Sequence, residues 1–279
     1  MNVLLIVLAL QSPESLAIRF SGMTAITGYE QAMTDSLLAL LPGSTRDRIG
    51  NVTLTLGRGS PKRLIACSLD EVGYVVGNIT DDGYLLLRRV GVSRTNALFD
   101  QQLEGHRVTV FGRRGAMPGV VAVRSTHLTR GRPGAANDPP FTVDNAYVDV
   151  GATSRDEVLA LGVDVLTPVS LTKRPERYGD RAGLLAAPNA GRRAACAALA
   201  SAALAKPRAR GSVVVAFTVQ GLYADTAGLN TVKNVQGPFD ASRQVSLPVK
   251  FPDTAVETVS LHEVDALLTD IVRWIGGPQ

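Results

Sequence analysis

Two apolar runs in this chain turn polar abruptly, and they constrain its fold more than any other feature. Leu64-Ile65-Ala66-Cys67 runs into Ser68-Leu69-Asp70-Glu71. Val213 to Val219, rich in β-branched residues, runs into Gln220. Unbroken apolar runs of this length mark central strands buried on both faces. In an open α/β sheet, ligands sit outside the carboxyl ends of such strands. The two polar ends are therefore where a site is to be sought.

The flanking chain fits an α/β unit. Ser12-Pro13-Glu14 carries a helix start, with Ser as N-cap, Pro in the first turn and an acid at the positive end of the dipole. A second helix is expected over about 30–41, with Met33, Leu37, Leu38 and Leu41 on one face, stopped by Pro42-Gly43. Asn51 to Leu56 alternates as a half-buried strand does. Further on, 191–204 reads as a buried alanine-rich helix and Val245 to Phe251 as a strand. The stretch 228–240 shows little periodicity. A last helix from near Ser260 carries Val264, Leu267, Leu268, Ile271 and Ile275 on one face, with Trp274 capping the core or an interface.

From Gly73 to about Leu171 the texture changes to short strands between turn signals, Asp81-Asp82-Gly83, Leu103-Glu104-Gly105, Arg113-Arg114-Gly115 and Pro118-Gly119. That spacing predicts a small β-barrel inserted into the first domain. Gly131 to Pro140 reads as a loop within it, and Ser154-Arg155-Asp156-Glu157 as a capping box. The domains are thus 1–72 with 173–279, interrupted by 73–172.

Charge and cysteines exclude some functions. The net charge is +4, but Arg113-Arg114, Arg192-Arg193 and Lys206 to Arg210 have no aromatic interleaving and read as solvated loops and helix ends, not as a nucleic-acid surface. The only cysteines, Cys67 and Cys196, read as small core hydrophobes rather than a disulfide or metal pair. Met1 to Leu10 is too short for a transmembrane span and lacks a basic start and a small-x-small cleavage site. Cytoplasmic location is the expectation, with an atypical N-terminal export signal as the alternative.

Several strings point to a family. Thr27-Gly28-Tyr29-Glu30, Arg48 to Asn51, Leu69-Asp70-Glu71-Val72-Gly73, Asp81-Asp82-Gly83, Asp149 to Gly162, Phe217-Thr218-Val219-Gln220 and Val256 to Leu261 follow one another in an order that resembles the tetrahedral aminopeptidases, glutamyl- and leucyl-aminopeptidase-like two-metal exopeptidases. The resemblance implies a hydrolase-like three-layer α/β/α domain, an inserted PDZ-like β-barrel used in dimerisation, homo-oligomeric assembly, and zinc or cobalt in active members.

The chemistry that the resemblance implies is missing at the matching positions. Ser68 stands for a metal-binding His, and Asp70 for the carboxylate that orients it. Asn189, in Ala187-Pro188-Asn189-Ala190, stands in the region of a bridging Asp. Gly221 and Leu222 follow the Phe-Thr-Val-Gln string where the catalytic Glu and a ligand would stand, and Asp253 takes the place of the last His. These six positions read as a vestigial cleft with no metal or catalytic residue, and no cofactor is expected. His106, His127 and His262 receive no role, and a serine nucleophile at Ser68 lacks a placed His base.

The leading expectation is a non-catalytic relative that assembles through its barrel or binds a peptide or protein. The alternative is an aminopeptidase with a rebuilt site using Asp70, Asp253 and Asp225 or Asp240. The stretch from Gln220 to Phe251 is shorter than in the family, which predicts an exposed sheet edge and apolar surface covered by self-association or a partner.

Overall fold

The computed structural model describes residues 12–91, 99–122, 141–223 and 226–277. Two compact units emerge, one formed by 1–71 with 173–279 and the other by 72–172.

The first unit begins with α1 (Pro13–Ser21), whose N-cap Ser12 side chain accepts from the Ser15 amide, and α2 (Gln31–Leu40). Strands β1 (Thr45–Arg46), β2 (Val52–Gly57) and β3 (Lys62–Ser68) follow. The second unit holds β4 (Gly73–Ile79), β5 (Leu85–Val90), β6 (Arg107–Gly112), β7 (Gly115–Val121), β8 (Tyr147–Asp149), α3 (Arg155–Ala160) and β9 (Pro168–Leu171). The chain then returns through β10 (Glu176–Tyr178), β11 (Leu184–Ala186), α4 (Ala190–Ala205), β12 (Ser212–Thr218), α5 (Ala227–Gln236), β13 (Ala241–Gln244), β14 (Thr258–Ser260) and α6 (Leu261–Gly276).

Five strands of the first unit form a mixed sheet in the order β1-β2-β12-β3-β13. The two apolar runs are neighbours at its centre, parallel and in register from Ser212 opposite Lys62 to Thr218 opposite Ser68. Their carboxyl ends therefore stop level. Ile65, Cys67, Val213, Val215 and Phe217 pack into a core with α1, α2, α4 and α6, while Leu64, Ala66, Val214 and Ala216 face Leu229 and Val232 of α5. That two-sided burial is why neither strand alternates. The second unit is a closed six-stranded barrel, β4-β5-β8-β7-β6-β9, around Val76, Leu87, Val108, Val110, Val148 and Val169. Ser154 caps α3 by accepting from the Glu157 amide. His106 and His262 are exposed. His127, Met1 to Leu10 and the expected loop at 131–140 lie outside the described residues. Among the described residues no helix is long and apolar enough to cross a membrane.

Four expectations are corrected. Cys67 and Cys196 form a disulfide, with Cα atoms 5.5 Å apart; α4 lies across β3 and joins two cysteines 129 residues apart that each look like core residues locally. Arg193 is not solvated: it is 1% exposed, because it turns inward to a buried carboxylate. The stretch 227–236 is helical, its apolar face reduced to Leu229 and Val232. The edge strand of the five-stranded sheet beside β3 is the polar segment 241–244, not 245–251, which contributes only a bridge at Lys250.

Candidate functional site

The level ends of β3 and β12 and the start of α4 border a cavity of about 470 Å³, with the segment after β13 forming its far wall. Ser68, Thr218, Gly221, Arg192, Glu257 and Val249 are among its lining residues.

Asp70 is fully buried beside this cavity. Its Oδ1 accepts from the Ser68 hydroxyl at 2.5 Å and its Oδ2 from the Leu222 amide at 2.7 Å. Arg192 Nη1 donates to the Asp70 carbonyl at 3.3 Å and stands 3.7 Å from Oδ1. Each carboxylate oxygen thus already accepts a hydrogen bond from this chain's own donors. Gly221 completes the arrangement: a Cβ built on it would lie 2.7 Å from Ser68 Oγ and 3.0 Å from Asp70 Oδ1. No side chain enters there without displacing them.

Next along the chain, Glu71 anchors a buried ionic cluster. Its Oε1 accepts from the Ala25 amide at 3.1 Å. Its Oε2 is ion-paired with Lys173, accepts from Asn189 Nδ2 at 3.1 Å and lies 3.0 Å from Arg193 Nη2. Arg193 also donates to the Leu69 carbonyl. Burial pushes the Glu71 carboxyl up, but Lys173 and Arg193 outweigh it and hold the group below the usual glutamate range. Burial draws Lys173 down, with Glu71 opposing and Arg193 adding to it. The two directions pull against each other; the ionised Glu71 is the firmer of them, because two cations face one carboxylate.

Two further acids are perturbed the other way. Burial pushes Glu257 up, although its oxygens accept from the Gly191 amide at 2.9 Å and the Asp253 amide at 3.2 Å. Burial also pushes up Glu30, which accepts from the Gln220 amide at 2.8 Å.

Of the six positions singled out in the sequence, Ser68 and Gly221 line the cavity, and Asp70 and Leu222 form the hydrogen-bonded wall behind it. Asn189, in the left-handed conformation before α4, turns away to Glu71, and Gly191 lines the cavity in its place. Asp253 is exposed, left-handed at φ 58°, and outside the lining. Asp240 accepts from the Lys62 amide at the opposite end of β3, about 20 Å of strand from Ser68. Asp225 lies outside the described residues. The rebuilt carboxylate set is therefore not brought together among the described residues. Sequence reasoning missed Glu71, Lys173, Arg193 and Glu257. The available signal was two adjacent acids at a buried strand end, which need cations when water is excluded.

The model of the family described as M42 glutamyl aminopeptidase matches residues 50–222. The lysyl aminopeptidase of Pyrococcus furiosus is 30% identical over 149 residues, covering 51% of this chain and 40% of that protein. SgcX of Escherichia coli (strain K12) is 31% identical over 159 residues, 54% of this chain and 40% of its own length. The matched part thus spans less than half of these relatives. A TET1 peptidase of Pyrococcus horikoshii, described as assembling into a tetrahedron or a large octahedral shell, superposes with a TM-score of 0.77 at 20% identity, over 93% of this chain and 98% of that one. The aminopeptidase APDkam598 of the archaeon Desulfurococcus kamchatkensis gives 0.76 at 17%, over 96% and 95%. At these identities the two structures establish the fold.

The matching family is one of metal-dependent aminopeptidases, and this overturns the bare expectation of no cofactor. The local donor set is a separate matter. Among the described residues no three His, Cys, Asp or Glu side chains are grouped to hold a metal, and both Asp70 oxygens are already engaged. These residues do not fit a two-metal site of the kind the family resemblance implies.

Proposed function

This chain belongs to the M42 glutamyl aminopeptidase family, and from that premise we propose that it is a non-catalytic relative whose cleft binds a peptide or protein without cleaving it. The observation that carries the reading is Gly221. It follows the Phe-Thr-Val-Gln string, where the family resemblance puts the catalytic Glu, and Ser68 and Asp70 occupy the space a side chain would need. Without a carboxylate there, the general base that the resemblance implies is missing from its position, and Glu257, the one carboxylate among the described lining residues, accepts from the Gly191 and Asp253 amides instead. The hydrolase-like layering, the PDZ-like character of the barrel and its use in homo-oligomeric assembly belong to the same reading, supported by the assemblies described for the structural relatives.

The second reading, an active aminopeptidase with a rearranged site, is favoured by family membership and by the intact buried Asp70. One experiment separates the two. The full chain is incubated with zinc or with cobalt and assayed for release of the N-terminal residue from a set of unblocked peptides. The proposal expects release at the level of a no-protein control under every condition. Release that scales with protein and is abolished by a chelator would establish the aminopeptidase.

A further inference from the structure

Resting on the reading of the cleft as a binding site, we propose that it recognises a free carboxylate, the terminal carboxylate of an amino acid or peptide, with Arg192 as the receiving group.

The cavity, about 470 Å³, is within the size range of small-ligand sites. Among the described residues only two of its lining side chains are formally charged, Arg192 and Glu257. Glu257 is 7% exposed and spends its two oxygens on the Gly191 and Asp253 amides, and its charge is felt by Arg192, so its part is to hold the guanidinium rather than to meet an incoming group. Arg192 is different. Its side chain is 43% exposed, and Nη1 donates to the Asp70 carbonyl at 3.3 Å and stands 3.7 Å from Asp70 Oδ1, which tethers one corner of the guanidinium. Among the described residues, its hydrogen bond and its ion pair both run through Nη1, leaving Nε and Nη2 to an incoming group. A guanidinium held at one corner presents a pre-organised fork that matches a carboxylate's two oxygens. Leu229, Val245, Leu247 and Val249 line the same cavity and suit an apolar side chain next to that carboxylate. The cleft therefore selects the end of a peptide opposite to the one an aminopeptidase trims.

The test is calorimetric titration of the full chain with N-acetyl-leucine, with an N-acetylated tetrapeptide ending in leucine, with the C-terminal amides of both, and with inorganic phosphate. Binding of a free acid with at least a tenfold loss in its amide is expected. Preference for acetyl-leucine identifies a free amino-acid derivative as the source, and preference for the tetrapeptide a chain terminus. Arg192→Gln is expected to weaken the acid at least tenfold and leave the amide unchanged, while Arg192→Lys, which keeps charge without the fork, falls between. Equal binding of acid and amide, equal binding of phosphate, or no binding by protein of native circular dichroism would overturn the proposal. The acid–amide comparison needs no variant, so a misfolded Arg192→Gln leaves it decisive. Hydrolysis of an unblocked peptide in parallel would instead refute the non-catalytic reading.

Discussion

The Ser68 hydroxyl and the Asp70 carboxylate, 2.5 Å apart, jointly occupy the space in which a side chain on Gly221 would begin. Gly221→Ala should therefore cost about 1–3 kcal/mol, the range for overpacking a close-fitted site. In a Ser68→Ala background the nearer obstacle is gone, and the added cost should fall by at least half. Thermal or urea denaturation of the four proteins reads this coupling directly. Additive effects would mean that the hydroxyl and the glycine do not share space.

The Cys67–Cys196 bond closes a loop 129 residues apart in sequence. Chain-entropy arguments give a cross-link of that span about 5 kcal/mol of stabilisation, through the unfolded ensemble. Oxidised protein should melt several degrees above protein reduced with dithiothreitol, and Cys196→Ala should match the reduced form. Non-reducing peptide mapping should recover residues 67 and 196 in one cross-linked fragment. Finding both thiols free in air-oxidised protein would remove the bond from the account.

Replacing Glu71 by Gln leaves Lys173 and Arg193 buried with their shared counter-charge gone. Removing one partner of a buried ionic set costs about 3–5 kcal/mol. The sign of the pH dependence follows from the depressed folded-state value. Glu71's contribution is complete above the ordinary glutamate value of 4.5 and is lost as pH falls through the lower folded value. Glu71→Gln should be less stable at neutral pH and show a flatter acid limb in a stability–pH profile. An acid limb as steep as the parent's would assign acid unfolding to other carboxylates.

Asp253, where the family resemblance puts the last His, is exposed and outside the cavity. Its φ of 58° is one that Asn tolerates as well. Asp253→Asn should leave stability within about 0.5 kcal/mol and ligand binding unchanged. A tenfold loss of binding, or of any metal-dependent activity, would bring its carboxylate into the site.

The central strands and the barrel were legible because their signals are local: unbroken β-branched runs, and turn residues at short spacing. The misses have a shared physical origin. Ala241–Gln244 pairs with β3 through backbone groups while its side chains, Ala, Ser, Arg and Gln, carry no apolar pattern. Residues 227–236 present a two-residue apolar face, enough to cover a small patch but too little to show as a period. The disulfide and the Glu71 cluster are made by residues remote in sequence, and nothing near Cys67 or Arg193 announces the partner. For the site, the strings pointed to Ser68 and Gly221 as cavity positions, whereas their mutual fit with Asp70 could not be read from them. Asn189, left-handed before α4, hydrogen-bonds to Glu71 rather than lining the cavity, a partner that its local string does not announce.

The ion pair between Glu71 and Lys173 joins the last residue before the barrel segment to the first after it. Seen from the α/β unit, the whole of 72–172 is one excursion whose two feet are pinned together, and the cross-link from Cys67 to Cys196 encloses the same excursion in a wider loop. Insertions, deletions or wholesale exchange of the barrel would then leave the strand ends around Ser68 and Thr218 where they are. A change in the length or sequence of 72–172 would have to break that ion pair before it reached the strand ends of the cleft.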